Sequence, residues 1–167
     1  MLERLANAVL FQVGWLACVL GGNSLWLLLA LAVLVIHLRW ISAWSAEGRL
    51  ILSVVVVGTA VDSSLRAAGV FAFEDLSPLI PLWLMLLWAL LATTLRHCLQ
   101  WTARPWWLAS SLGAVGGALS YYGGGQLAGV QFPYGQLPTL IGIGLLWALL
   151  FPLLHYMARR LTPTRAD

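Results

Sequence analysis

Long apolar stretches, separated by short polar or glycine-rich breaks, run through the whole chain. Six of them meet or approach the roughly 20 residues that a helix needs to cross the hydrocarbon core of a bilayer. They span residues 5–21, 24–40, 50–70, 79–100, 106–122 and 138–158. The pattern therefore predicts an all-α fold, in which residues 1–167 form a single domain: a polytopic transmembrane bundle of six helices.

The composition supports the same class of protein. Hydrophobic residues make up 61% of the chain and charged residues only 9%, whereas a soluble domain has about 25% charged residues. The N-terminus has the basic start and the apolar stretch of a signal peptide. Because Asn7 and Gln12 interrupt this stretch and no small-residue cleavage site follows, we expect a retained first helix.

The arginines predict the orientation of the bundle. All nine basic residues are arginines, and a cytoplasmic N-terminus places all of them except Arg66 on or near the cytoplasmic side. The acidic stretch 71–78 and the uncharged stretch 123–137 fall on the opposite side. An excess of arginine in short loops marks the cytoplasmic side, so we predict that both termini are cytoplasmic. This topology explains the net charge of +3, and we expect no nucleic-acid partner.

The connection at residues 123–137 is rich in glycine and aromatic residues and carries no charge. Such a segment could re-enter the outer face of the membrane where protein or water covers its backbone. Its glycine and proline residues favour turns, so an ordinary loop is the preferred interpretation.

Asp62 and Arg66 are the unusual residues of the third apolar stretch. At 1.5 Å per residue, Asp62 lies about 20 Å along this helix, where inserting an ionised Asp costs about 2.5–3.5 kcal/mol. The i,i+4 spacing places Asp62 and Arg66 on one helix face, where they can pair. Tyr121 lies at a similar depth on the fifth helix and can donate a hydrogen bond to the carboxylate. Two interpretations stay open: an ion pair that only fixes helix packing, or a polar ligand pocket in the outer half of the membrane.

A second polar group lies at the cytoplasmic end of the fourth helix. It consists of Arg96, His97 and Gln100. We expect Arg96 and His97 to contact lipid phosphates. His37 and His155 lie at a similar depth, and three histidines can hold zinc. A hydrolase of this kind needs its acid at the metal, and Asp62 lies about two-thirds of the membrane away. We therefore expect interfacial histidines, no metal and no cofactor.

Several other residues are expected to serve packing. Asn7 and Gln12 of the first helix should form hydrogen bonds between helices. Gly113 and Gly117 of the fifth helix allow close approach of a neighbouring backbone. The chain contains no nucleophile elbow, Walker loop or His-Glu-x-x-His motif, so nothing in it defines an enzyme.

Four stretches carry a family resemblance, together with the Asp of the third helix: NAVLFQVGWLACVLGG, PLWLMLLWALLATTLRHCLQW, GALSYYGGGQLAGVQF and LLWALLFPLL. The chain resembles an uncharacterised family, a domain-of-unknown-function family of small inner-membrane proteins of Gram-negative bacteria. The resemblance implies a multi-pass protein of the bacterial inner membrane and a lipid-related role. It also implies family positions at Asn7, Gln12, Trp15, Asp62, Pro81, Trp88, His97, Trp101, Gly117, Tyr121 and Gly129.

These observations lead to one leading hypothesis and two alternatives. The protein is predicted to bind or handle a lipid or small amphiphile in a pocket near Asp62, as an accessory to a lipid-modifying pathway. In this view membrane lipids, and other inner-membrane proteins, are its partners. The alternatives are a small transporter or substrate-binding transport subunit, and a membrane-embedded lipid-modifying enzyme with Asp62 or His97 as the acid–base group. The oligomeric state stays open.

Overall fold

The computed structural model describes residues 1–73 and 77–161. Within them the chain forms six α-helices and no β-strand, so the predicted all-α fold is confirmed. The helices are α1 (Leu2–Gly21), α2 (Trp26–Ile36), α3 (Trp44–Ala67), α4 (Leu82–Ala92), α5 (Trp106–Ala128) and α6 (Gln136–Arg160). A π-helical turn, His37–Ile41, extends α2, and a 3₁₀ turn, Gln100–Ala103, precedes α5. The predicted acidic residues Glu74 and Asp75, and the cytoplasmic Arg165, lie outside the described residues.

Helices α3 and α4 each have an end that differs from the prediction. Helix α3 begins at Trp44 rather than at residue 50, and α4 ends at Ala92 rather than at residue 100. The hydroxyls of Thr93 and Thr94 each donate to the carbonyl three residues earlier at 2.6 Å. Such local bonds compete with the helical pattern, and the chain continues to Leu99 as a series of turns.

Helix α5 shortens the connection that was predicted at residues 123–137. The three glycines at 123–125 continue the helix, which ends only at Ala128. Gly125 packs against the ring of Phe132, where a side chain at position 125 would collide. Gly129 follows in the left-handed conformation that commonly ends a helix. The remaining connection is tied to the segment after α3 by a backbone bridge between Ala72 and Gln131.

Long-range hydrogen bonds define two ends of an up-and-down bundle. At one end, which we name the Arg-rich end, the starts of α1 and α3 meet the turns after α2 and α4 and the last turns of α6. Its arginines are Arg4, Arg39, Arg49, Arg96, Arg104, Arg159 and Arg160. At the opposite end, Asn23 accepts from the Trp83 amide and Tyr134 donates to the Ala68 carbonyl. The N-terminus and the end of α6 therefore lie at the same end of the bundle.

A layer of two indoles between two glycines joins four helices in the core. Trp88 of α4 and Trp147 of α6 stack with ring centroids 5.3 Å apart and planes 7° apart. Gly58 of α3 lies against Trp88, and Gly117 of α5 lies against Trp147. The packing role predicted for Gly117 is thereby confirmed, since only a residue without a side chain leaves room for the indole.

Three helices are long and apolar enough to cross a membrane by length and composition: α1, α3 and α6. This number is smaller than the six predicted from the apolar stretches. Helix α2 with its π-helical turn has 16 residues, or about 24 Å, and α4 is shorter still. Leu145 and Leu149 on α6, like Val115 and Leu119 on α5, are more than half exposed. The outer surface is therefore compatible with a membrane protein.

Candidate functional site

Asp62 lies in the core of the bundle and is fully buried. The Tyr121 hydroxyl donates to its Oδ1 at 2.6 Å, which confirms the predicted hydrogen bond between α3 and α5. The indole Nε1 of Trp88 donates to Oδ2 at 2.8 Å. Each carboxylate oxygen thus accepts one short hydrogen bond, and the carboxylate fixes the orientation of two aromatic side chains.

Arg66 does not form the ion pair that its spacing from Asp62 suggested. Its Nη1 donates to the Leu79 carbonyl at 2.8 Å, and its guanidinium lies over the Phe73 ring, 5.0 Å from the centroid. Among the described residues, no arginine lies within ion-pair distance of Asp62. The side chain points towards the segment between α3 and α4, so a shared helix face did not produce a contact.

A second buried carboxylate, Glu47, is the residue that the sequence analysis missed. Its side chain is 1% exposed, and three side chains converge on it. His37 Nε2 lies 2.9 Å from Oε2, His97 Nε2 lies 2.8 Å from Oε1, and Arg96 Nη1 lies 3.5 Å from Oε1. We name Glu47, His37, His97 and Arg96 the Glu47 cluster. It joins the π-helical turn, the start of α3 and the turns after α4.

Asn7 of α1 determines which nitrogen of His37 carries the proton. Its Oδ1 accepts from the Cys98 backbone N–H, and its Nδ2 donates to the Thr93 carbonyl, so the amide can point only one way. Nδ2 also lies 3.2 Å from His37 Nδ1 and must donate to it. His37 is therefore protonated at Nε2, from which it donates to Glu47. The hydrogen-bonding role predicted for Asn7 is confirmed.

This arrangement decides how well the Glu47 cluster fits a metal ion. The ligand atoms of His37, Glu47 and His97 lie within 4.8 Å of one another, and zinc uses this ligand chemistry. A metal at His37 Nε2 would need the ring proton at Nδ1, where it would face the Asn7 NH₂ donor. The Arg96 guanidinium also places a positive charge beside the carboxylate. The arrangement of the Glu47 cluster is therefore more typical of a hydrogen-bonded buried carboxylate than of a metal centre.

The other polar residues named from the sequence lie in different surroundings. Gln100 accepts from Arg4 Nη2 at 3.3 Å on the surface of the Arg-rich end. His155 is buried and lies 2.8 Å from the Thr102 hydroxyl, outside the Glu47 cluster. The prediction of three interfacial histidines is therefore wrong for His37 and His155, which are 1% and 2% exposed. Gln12 is exposed and makes no hydrogen bond to the described residues.

A cavity of about 360 Å³ lies between α1, α4 and the α5–α6 hairpin. Its wall is apolar and rich in aromatic side chains. One side is the small-residue face of α5, which includes Gly113, Gly116, Gly117 and Ser120. Five tryptophans line it: Trp15, Trp83, Trp88, Trp101 and Trp147.

The position of the cavity corrects the prediction of a polar pocket around Asp62. Trp88 and Tyr121 line it, whereas Asp62 lies behind them and is not part of the wall. Towards the opposite end, the wall is formed by aromatic side chains such as Phe71 and Phe132. Towards the Arg-rich end it reaches the turn after α4. Asp62 therefore positions wall residues instead of presenting its charge to the cavity.

Fold and site together define a class: an all-helical protein with apolar outer helices, an aromatic-lined cavity and a buried carboxylate cluster at one end. The chain belongs to the family described as protein of unknown function (DUF2878), whose model matches residues 4–153. The resemblance to an uncharacterised family is thereby confirmed. Neither the curated proteins nor the solved structures provide a match to this chain.

Proposed function

We propose that this protein binds a membrane amphiphile whose apolar chain occupies the aromatic-lined cavity. The observation that carries the proposal is the wall itself, which combines five tryptophans with the glycine-rich face of α5. Ligand sites are typically cavities of about 300–1,000 Å³ with mostly apolar walls and a few polar groups. At 360 Å³ this cavity falls within that range.

The shape of the cavity favours a chain over a compact ligand. Its wall on α5 extends from Leu112 to Gly125, which corresponds to about 20 Å along the helix. The cavity is therefore elongated along the axis of α5. An extended hydrocarbon chain fits such a cavity and gains free energy by burying its apolar surface.

The proposal also includes a location. We infer that the bundle lies in the bacterial inner membrane as a multi-pass protein, with the Arg-rich end and both termini in the cytoplasm. Arginines concentrate at that end, and so do the exposed tryptophans Trp40, Trp44, Trp101, Trp106 and Trp107. Arginine excess marks cytoplasmic loops, and tryptophan is enriched at the membrane interface. A reporter that is active only in the cytoplasm should be active when it is fused to the C-terminus. A reporter that is active only in the periplasm should be inactive at the same position.

Gly116 offers a direct test, because it lines the cavity and a Cβ at this position would meet no other atom. A Gly116→Leu side chain should enter the cavity without disturbing the helix packing. Gly142 is the matched control, since it is equally open, lies on α6 and is not part of the cavity wall. Both variants gain the same helix propensity.

The measurement is quenching of tryptophan fluorescence by 9,10-dibromostearic acid in detergent. Five of the ten tryptophans line the cavity, so we expect saturable quenching in the wild type. Gly116→Leu should weaken this binding about tenfold or more, whereas Gly142→Leu should bind like the wild type. Equal quenching in all three proteins would reject the cavity as the binding site.

A further inference from the structure

One atom of the Glu47 cluster, His97 Nδ1, has a defined hydrogen-bonding role and no partner among the described residues. A carboxylate can only accept, so His97 must carry a proton on Nε2, from which it donates to Glu47 Oε1 at 2.8 Å. In the neutral ring Nδ1 is then an acceptor. Nδ1 makes no hydrogen bond to residues 1–73 or 77–161, and the side chain is 19% exposed. The geometry thus presents an acceptor with a fixed orientation.

Arg96 supplies the complementary chemistry beside it. Its side chain is 31% exposed, and only Nη1 approaches Glu47, at 3.5 Å. A guanidinium has five N–H donors, so most of them remain for another anion. Arg4 lies on the same surface, where it donates to Gln100. Adjacent positions on the Arg-rich end therefore offer donors for an anion and an acceptor for a proton-bearing group.

The cavity extends to this end of the molecule. Its lining includes Leu99, Trp101 and Thr102, which follow His97 in the same turn region. Arg96 and His97 are not part of the cavity wall, so the polar end of a ligand would leave the cavity at this turn region to meet them. At the opposite end the wall is aromatic, and the Ala72–Gln131 bridge joins the two connecting segments.

We propose that Arg96 and His97 form a head-group site for a phospholipid that carries both a phosphate and a hydrogen-bond donor. Arg96 binds the phosphate, and His97 Nδ1 accepts from a hydroxyl or ammonium group, as in a glycerol or ethanolamine head group. Glu47 is a positioning residue that holds the His97 ring, with His37 and Asn7 behind it. The inference rests on the proposed function, since it assigns the polar end of the same amphiphile.

Native mass spectrometry in detergent can test this, with phosphatidylglycerol, phosphatidylethanolamine and phosphatidylcholine of identical chains. The head group of phosphatidylcholine has a phosphate but no N–H or O–H donor. One hydrogen bond is equivalent to about a three- to tenfold difference in affinity. We therefore expect the wild type to prefer the first two lipids over phosphatidylcholine by that factor.

Variants separate the two contacts. His97→Phe should lower the ratio of phosphatidylglycerol and phosphatidylethanolamine affinity to phosphatidylcholine affinity to about one, and His97→Gln, which keeps a donor towards Glu47 and an acceptor, should restore part of this ratio. Arg96→Gln should weaken all three lipids more than Arg49→Gln does. Arg49 is an exposed arginine at the same end and is the control for general charge.

Three results would overturn the inference. They are equal affinity for all three lipids in the wild type, a preference that survives His97→Phe, and displacement of bound lipid by free glycerol 3-phosphate at similar concentration. If the preference is absent but dibromostearic acid still binds and Gly116→Leu still blocks it, the proposed function stands and only the head-group site fails. Loss of binding for every chain-bearing probe would reject both.

Discussion

Helix α3 carries two buried carboxylates, Glu47 near its start and Asp62 near its end, about 22 Å apart along the axis. Their partners differ in kind. Asp62 accepts from an indole and a phenol, which are neutral groups that line the cavity. Glu47 accepts from two histidines and an arginine, of which two reach the surface. The same type of residue on one helix therefore supports a cavity wall in one place and a partly exposed polar cluster in the other.

The comparison shows that burial alone does not identify a functional carboxylate. Both side chains are almost completely inaccessible. The two carboxylates differ in the surroundings of their partners. The partners of Asp62 are packed aromatic rings, whereas two partners of Glu47 are a partly exposed imidazole and a partly exposed guanidinium. The partners of a buried charge are therefore the better guide to its role.

The largest effect should follow from Glu47→Gln. The amide keeps the shape but loses the charge that Arg96 faces, and its NH₂ group meets a histidine N–H. Because hydrogen bonds to charged groups contribute about 1.5–3 kcal/mol, we expect a loss of that size in the free energy of unfolding. Unfolding in mixed SDS micelles measures it. Glu3→Gln, at an exposed acid of α1, is the control and should change stability by less than about 0.5 kcal/mol.

A smaller effect is expected for the same isosteric change at the other carboxylate. In Asp62→Asn the amide oxygen can still accept from Trp88, and the Tyr121 hydroxyl can rotate to accept from the NH₂ group. Only the phenolic proton loses its acceptor, so the cost should be about 1 kcal/mol or less in the same assay. If Asp62→Asn proved more damaging than Glu47→Gln, the contrast between the two regions would be wrong.

The smallest effect concerns the pair that the spacing suggested. Since Arg66 contacts the Leu79 carbonyl and the Phe73 ring, Asp62→Asn and Arg66→Gln should be additive. A double-mutant cycle should give a coupling energy below about 0.5 kcal/mol. The cycle of Asp62→Asn with Tyr121→Phe serves as the positive comparison and should give a clearly larger value. A large coupling to Arg66 would restore the ion-pair interpretation.

Depth along straight helices was the successful part of sequence reasoning. It placed Tyr121 opposite Asp62 because both helices rise by the same amount per residue, and the hydrogen bond is present. The ends of the helices were harder to predict from the sequence. Hydropathy marks where the chain becomes apolar, whereas α3 begins with the polar segment Trp44–Arg49, so Glu47 was assigned to a loop.

A sequence signal for Glu47 nevertheless exists. The buried face of α3 recurs every three or four residues, at Glu47, Ile51, Val54, Gly58 and Asp62. Extending this helical period backwards from Asp62 reaches Glu47. The turns after α4 and the π-helical turn had no comparable signal, because they depend on side-chain bonds from Thr93 and Thr94 and on tertiary contacts. The meeting of His37, Glu47 and His97 could therefore not be predicted from spacing.

The Gly–Trp–Trp–Gly layer sets a limit on how this sequence can vary. A side chain at position 58 would overlap the Trp88 ring, and one at position 117 would overlap Trp147. Any larger residue at either position has to displace an indole that four helices share. By contrast, Gly116 and Gly142 have free space around them. Glycines of identical appearance in the sequence thus divide into two that the helix packing requires and two that it does not require.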